Sequence, residues 1–293
     1  MAEQRTYGFI GLGAMGGPMA ENIAKAGLPV HVYDAAGTKE RAHEKAIAHD
    51  SLAGVLANAD TVFLSLPDGP ICTAVAKEIV QVNDRKTSVV IDLSTIGTAA
   101  AQEIDGILKD AKITYMDAPV SGGRRGAINA TIAVMVGGPK AVYDDHLEVF
   151  KAFAKNPFHV GEEPGQGQVV KMLNNFLSAT ALAASSEAML FGLSQGLEAQ
   201  AILDVVNVST GMNTATLDKL PNRIMSGTWD AGFTNKLLAK DVRLFFENST
   251  KAGTPNSIGN LVTQIFEGAE KDRPGSDISL VYKYIEEGNE PKI

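Results

Sequence analysis

The feature that most constrains this chain is a glycine hexapeptide, Gly11-Leu12-Gly13-Ala14-Met15-Gly16. It lies between a β-rich run, Tyr7-Gly8-Phe9-Ile10, and a helix-like segment from Pro18 to Ala26. In a G-x-G-x-x-G turn the first glycine permits the tight bend. The second lets a pyrophosphate approach the backbone, and the third lets helix and strand pack closely. The helix start then offers free N–H groups and a positive dipole end to phosphates. The second β run, Val30-His31-Val32-Tyr33, ends at Asp34, which lies 21 residues past Gly13. That is close to the ~20 expected for an acidic partner of a ribose hydroxyl. A carboxylate there would repel a 2′-phosphate, and the next two positions are Ala35 and Ala36 rather than arginine, so the pattern predicts NAD over NADP. The competing reading is a glycine turn followed by an aspartate that caps the next segment.

The pattern after the hexapeptide alternates. Further apolar runs are Thr61 to Leu66, Ser88 to Asp92, Ile113 to Met116, Ile132 to Val136 and Phe158 to Val160, and helix-like stretches at Ile71 to Gln81 and Ala99 to Ala111 separate some of them. Strands that are apolar throughout, alternating with helices, predict a parallel sheet covered on both faces. The turn cluster Glu162-Glu163-Pro164-Gly165-Gln166-Gly167 marks a border. Beyond it nothing breaks a helix from Gln168 to about Gly192, a stretch rich in Ala, Leu and Met whose only charges are Lys171 and Glu187. A helix apolar nearly all round is expected to be buried, between domains or subunits. The rest reads as helices, Ala199 to Val208, Thr214 to Met225, Phe233 to Lys251, Ser257 to Lys271 and Ile278 to Glu287. The expected architecture is α/β. A Rossmann-type doubly wound sheet occupies residues 1–162, and an all-α C-terminal domain for substrate binding and oligomerisation occupies residues 163–293. A long buried helix over about 168–192 joins the two.

Composition excludes other classes. Lys plus Arg is 26 against 34 Asp plus Glu, a net charge of −8, which counts against nucleic-acid and anionic-membrane partners. One cysteine, Cys72, precludes an intrachain disulfide framework and fits a reducing compartment. The polar start, Met1 to Thr6, shows no signal peptide, and no uninterrupted apolar run is of bilayer length, so a cytoplasmic location is expected.

A dinucleotide site does not name a reaction. Hydride exchange with a carbinol carbon needs an acid/base beside the oxygen. No tyrosine is followed four places on by lysine, the five histidines lack H-x-x-x-H spacing, and a single cysteine cannot build a Cys-rich zinc site. No metal is expected. Lys171 is the best acid/base candidate, because a charge in an apolar helix is costly unless it is used or paired. Burial beside a cationic nicotinamide would favour the neutral amine that can take a proton. Asn174 and Asn175 follow at i+3 and i+4 on the same face. The alternative is an interfacial lysine with two polar neighbours. The loop Asp117-Ala118-Pro119-Val120-Ser121-Gly122-Gly123 follows the fifth run, at the sheet edge where such folds bind ligands. Its serine and two glycines offer a small anion-binding nest, or an ordinary turn. Asp92-Leu93-Ser94-Thr95 ends the fourth run, placed to touch the nicotinamide side or to cap a helix.

These stretches together resemble the β-hydroxyacid dehydrogenases, the group of 3-hydroxyisobutyrate dehydrogenase and tartronate semialdehyde reductase. The similarity lies in Phe9 to Ala20, Asp92 to Thr95, Asp117 to Gly123, Gly165 through Lys171 to Asn175, and Ala239-Lys240-Asp241, in that order. The resemblance implies a C-terminal domain like that of 6-phosphogluconate dehydrogenases and an NAD-dependent exchange between a small β-hydroxy acid and its semialdehyde, with NADP possible. It implies Lys171 as acid/base, with Ser121, Gly122, Gly123 and Asn175 on the substrate. It places Gly11, Leu12, Gly13, Ala14, Met15, Gly16, Asp34, Leu66, Pro67, Thr95 and Lys240 at the cofactor. It also implies a homodimer or homotetramer. Imine-reducing relatives replace the lysine, so retention of Lys171 favours alcohol–aldehyde chemistry.

The chain departs from the pattern in three places. Asn129-Ala130-Thr131 stands where Gly-Thr is usual. Arg124-Arg125 follows the serine-glycine loop, as solvated charges or as an added anion contact. Ser209 to Thr214 does not match the 3-hydroxyisobutyrate enzymes, which leaves the substrate open. The rival functions are an NADPH-preferring reductase of tartronate or succinate semialdehyde and a non-catalytic dinucleotide-binding redox sensor.

Overall fold

Runs that are apolar at every position become strands with both faces covered. In the computed structural model, which describes residues 5–289 and 291, β1 (Tyr7–Ile10) and β4 (Thr61–Leu64) are buried at each position. β5 (Val89–Asp92) and β6 (Thr114–Asp117) are buried after their first residue. Together with β2 (Val30–Tyr33), β3 (Ile47–Ala48), β7 (Val120–Ser121), β8 (Ile132–Gly137) and β9 (Ala154–Gly161) they form one sheet among the described residues. The order is β3-β2-β1-β4-β5-β6-β8-β7, with β9 on β8. β3 and β7, two residues each, carry no period that a sequence reading can detect.

The first six strands run parallel. The expectation of an all-parallel sheet fails at β8, which is antiparallel to β6 and β7. Between β6 and β8 the only helix is α5 (Gly123–Ile128), six residues long. A parallel return needs a crossover that carries the chain back along the sheet, usually a helix, and a six-residue helix after the two residues of β7 does not span that length.

Helices α1 (Gly16–Lys25), α3 (Gly69–Gln81) and α4 (Thr98–Asp110) alternate with the strands, as do the shorter α2 (Leu52–Leu56), α6 (Lys140–Asp145) and α7 (Leu147–Phe153). Their starts are locally encoded. Ser51 Oγ accepts from Gly54 N at 3.2 Å, and Asp68 Oδ1 accepts from Ile71 N at 3.0 Å, with Pro70 in the first turn. One core gathers Phe9, Phe63, Phe150 and Phe153. The other gathers Val62, Leu64, Ile79 and Ile104. A core on each face makes the sheet doubly wound, and each fully buried large side chain contributes ~1.5–3 kcal/mol.

The chain divides into two compact units inside α8 (Gln166–Ser194), between Lys171 and Met172. The second unit is helical. It comprises the rest of α8, α9 (Ala199–Val206), a π-helix Ala215–Met225, α10 (Asn235–Lys251), α11 (Ser257–Asp272), a 3-10 turn Ile278–Leu280 and α12 (Val281–Glu286). Its core includes Leu182, Met189, Leu203, Leu220, Val242 and Phe266. Among the described residues no named strand follows Gly161. The π-helix contains Pro221. In an α-helix that ring would crowd the carbonyl of Leu217, and the wider winding changes the pairing. By length and composition α8 is apolar enough to cross a bilayer, despite Lys171 and Glu187. Core helices pass the same test, and Ala179, Leu182, Ala183 and Met189 are in the packed core of the second unit.

Candidate functional site

The three glycines of the first loop differ in what surrounds them. Gly11 has φ +93°, and a Cβ there would meet Ser65 O at 2.3 Å, so the turn excludes other residues. At Gly16 a Cβ would lie 1.9 Å from Gly11 O and 3.1 Å from a Phe9 ring carbon. At Gly13 a Cβ would meet nothing within 4 Å. Two glycines are therefore required by the fold itself, and one opens onto free space at the start of α1. A dinucleotide pyrophosphate fits that opening, where the first N–H groups of the helix are available.

Asp34 follows β2 and is almost buried, 9% exposed. Its Oδ2 accepts from Leu12 N at 2.7 Å, and its Oδ1 accepts from Ala36 N at 2.8 Å. The acid thus braces the glycine loop. Sequence reading missed its cation, Arg41, whose Nη1 lies 3.3 Å from Asp34 Oδ2. Arg41 sits in an irregular segment, so no spacing rule leads to it.

At the C-terminal edge of the sheet, Leu66 N donates to Ser94 Oγ at 2.8 Å, which fixes the Leu66-Pro67 turn after β4. Ser94 N donates to Asp92 Oδ1 at 2.9 Å, and Tyr115 Oη donates to Asp92 Oδ2 at 3.3 Å. Asp92 pairs in register with Asp117 on β6, and both are fully buried. Burial raises the carboxyl of Asp92 above its usual range, against the hydrogen bonds it accepts. Burial pushes Asp117 up to about 7, with the neighbouring Asp92 adding to the rise. The Tyr115 hydroxyl and the Cys72 thiol, also buried, are both driven up by burial first and by Asp92 second.

Asp117 accepts from two backbone groups at the start of α8, Gly165 N to Oδ1 at 2.6 Å and Gln168 N to Oδ2 at 2.7 Å. The side chain of Gln168, fully buried, accepts from Ile96 N at 2.9 Å and Gly97 N at 3.1 Å through Oε1. Its Nε2 donates to Ser94 O at 3.0 Å. The loop that carries Thr95 therefore hangs on the same turn of helix that leads to Lys171. Lys171 is 7% exposed. The sequence placed Asp117 and Gln168 inside its motifs without giving either a role. The detectable signal is a polar residue ending an otherwise apolar strand, since such a group, once buried, must find partners.

Ser121 is half-buried at the end of β7, and Gly122 and Gly123 are exposed with φ +134° and +63°. A Cβ on Gly122 would meet Ile132 at 3.0 Å. Arg124 and Arg125 are exposed. In the second unit Asn175 Nδ2 donates to Asp241 Oδ2 at 2.5 Å. Lys240 Nζ lies 3.2 Å from Asp241 Oδ1, an ion-pair distance without hydrogen-bond geometry. The Phe176 and Phe245 rings stack at 4.0 Å, packing α8 on α10 within this unit. Asp241, 2% exposed, is a further residue to which the sequence reading gave no role beyond a charge partner for Lys240. Among the described residues no cluster of three or more His, Cys, Asp or Glu could hold a metal.

Comparison with known proteins follows the same division. Residues 6–161 match the family described as the NAD binding domain of 6-phosphogluconate dehydrogenase. Residues 165–285 match the NAD-binding family of NADP-dependent 3-hydroxyisobutyrate dehydrogenase. The chain is 34% identical to 2-(hydroxymethyl)glutarate dehydrogenase of Eubacterium barkeri, over 98% of this chain and 97% of that one. It is 31% identical to the mitochondrial 3-hydroxyisobutyrate dehydrogenase of Drosophila melanogaster, over 95% and 88%. The structure of Mycobacterium tuberculosis 3-hydroxyisobutyrate dehydrogenase with L-serine superposes with a TM-score of 0.88 at 29% identity, covering 97% of this chain and 99% of that one.

Proposed function

Because the chain belongs to the β-hydroxyacid dehydrogenases, NAD-dependent oxidoreductases of small hydroxy acids, we propose that Lys171 is its catalytic acid/base and that its substrate is a 3-hydroxyisobutyrate-like acid. Membership in a family of enzymes removes the sensor reading. The observation that carries the assignment is the buried Lys171 on α8, three residues past a glutamine bonded to the Thr95 loop. A dinucleotide with its pyrophosphate on the glycine loop would supply hydride transfer at the substrate carbon. Gly11 to Gly16 and the start of α1 hold the pyrophosphate, and Asp34 holds the adenosine ribose. Leu66, Pro67, Thr95 and Lys240 line the cofactor site, Thr95 on the nicotinamide side. Ser121, Gly122, Gly123 and Asn175 hold the substrate's carboxylate and hydroxyl. In oxidation, Lys171 Nζ takes the hydroxyl proton as the carbonyl forms, and in reduction it returns that proton.

Two features bear on the substrate and cofactor. The Eubacterium barkeri relative is named for an acid with a hydroxymethyl group and two carboxylates, so the trial substrates include dicarboxylic hydroxy acids. The Arg41 guanidinium beside Asp34 supports some use of NADP, and so the alternative of an NADPH-preferring semialdehyde reductase. A panel of 3-hydroxy acids and semialdehydes, each with NAD(H) and NADP(H), tests the reading. Turnover of at least one pair with NAD supports it. No turnover of any, with cofactor bound, refutes it.

We further propose a homodimer or homotetramer. Leu173, Leu177 and Phe191 on α8 are 45%, 64% and 68% exposed. At roughly 25 cal/mol per Å² a partner subunit covering that stripe would stabilise it by several kcal/mol. The buried lone thiol of Cys72 fits the cytoplasmic location proposed for the protein.

A further inference from the structure

The first turn of α8 is tied to the sheet by two side chains, one on β6 and one in the turn itself, that touch neither cofactor nor substrate in the arrangement above. Asp117, at the end of β6, accepts the Gly165 and Gln168 N–H groups at 2.6 and 2.7 Å. Its partners lie 48 and 51 residues along the chain. Gln168 returns the tie to the loop after β5 through three side-chain bonds of 2.9 to 3.1 Å. The turn has no slack. A Cβ on Gly167 would meet Met135 O at 2.2 Å and Asp117 Oδ2 at 2.7 Å, and one on Gly137 would meet Asp117 Oδ1 at 2.6 Å. Lys171 follows Gln168 by three residues, so the register and rotation of the turn set where its amine lies.

We infer that Asp117 and Gln168 are positioning residues for Lys171, pinning the first turn of its helix to the ends of β5 and β6. The inference rests on Lys171 as acid/base. Holding the turn requires Asp117 as the anion, because a proton on either oxygen faces a donor N–H and removes one bond. Asp92 on β5, itself raised by burial, is the carboxyl that faces it, Tyr115 on its own strand and Cys72 on α3 are neutral, and α8 presents backbone N–H groups. With the carboxyl pushed up to about 7, the tie loosens as pH falls through neutrality. Stability moves the other way. A folded-state value raised above the unfolded one means that the native chain holds a proton between about pH 4 and 7 that the unfolded chain has released. Acidification in that window therefore favours folding through Asp117 while it loosens the turn. A carboxylate that merely stabilised the fold would lose activity and stability together.

The test uses the full chain with Asp117→Asn, and Gln168→Met as a second variant that breaks the tie from the helix side if the first does not fold. Amide exchange at Gly165 and Gln168 is followed from pH 5.5 to 8, beside kcat, KM, NADH affinity and melting temperature. In the wild type, protection at these amides should be lower at pH 5.5 than at pH 8, with no matching fall in melting temperature from Asp117. Asp117→Asn should lose that pH dependence, lower kcat at pH 8 at least tenfold, and keep NADH affinity within about threefold. Unchanged amide protection and kcat in whichever variant folds overturns the inference. The exchange measurement does not depend on Lys171. If Lys171→Ala keeps wild-type turnover, the acid/base assignment fails, while the amides still report whether Asp117 holds the turn.

Discussion

Substituting alanine at Gly13 and at Gly16 should separate cofactor binding from folding within a single loop. At Gly16 the added Cβ would start 1.9 Å from Gly11 O, against 3.4 Å for ordinary contact, so the backbone must open by about 1.5 Å. Overpacking of this kind costs ~1–3 kcal/mol, and alanine's better helix propensity returns at most ~1 kcal/mol. With a net loss of about 2 kcal/mol, the melting temperature falls by roughly 4–8 °C. At Gly13 nothing lies within 4 Å and the backbone is not in the positive-φ region. The unliganded Gly13→Ala protein should therefore melt at or slightly above the wild type, by up to ~1 kcal/mol, through the stiffer unfolded chain. Its methyl occupies the path of the pyrophosphate, and loss of one charge-assisted backbone bond costs ~1.5–3 kcal/mol, about tenfold to a hundredfold in affinity. Melts with and without NAD read both effects, because ligand stabilisation follows RT ln(1 + [L]/Kd), and an NADH titration gives the affinity directly. Wild-type NADH affinity in Gly13→Ala, or a Gly16→Ala melt within about a degree of wild type, would refute the assignment of these glycines.

Lys171→Ala should lower turnover by ~10²–10⁴-fold with NADH affinity nearly intact, and a variant within a few-fold of wild type sinks the acid/base role. Asp34→Ser combined with Ala35→Arg should move preference toward NADP, at a cost in stability because Leu12 N and Ala36 N lose a carboxylate acceptor. A wild type that already prefers NADPH tenfold contradicts the reading of Asp34. Light scattering at micromolar concentration should give at least twice 30.9 kDa, and a monomer mass would show that the exposed α8 stripe needs no partner.

What the sequence discloses depends on how far apart the cooperating residues lie. The strands of the parallel sheet are legible because burial on both faces writes an unbroken apolar run, as in Thr61 to Leu64. The glycine loop is legible because its three demands fall within six residues. Chain spacing cannot reveal that Asp117 bonds to Gly165 and Gln168, since the partners come together only when β6 and α8 are in place. Nor does spacing distinguish a catalytic lysine from a helical one, and the role proposed for Lys171 rests on a contact of Gln168, one turn earlier, that no spacing rule shows. The reversal at β8 was hidden for a different reason. Val120–Ser121 has only two residues, too few to show a period, and the six-residue α5 signals the antiparallel return only once its length is known. The same holds for Arg41. It modifies the most legible acid in the chain from a segment without regular structure, so the charge balance at Asp34 is set by a folded contact rather than by motif.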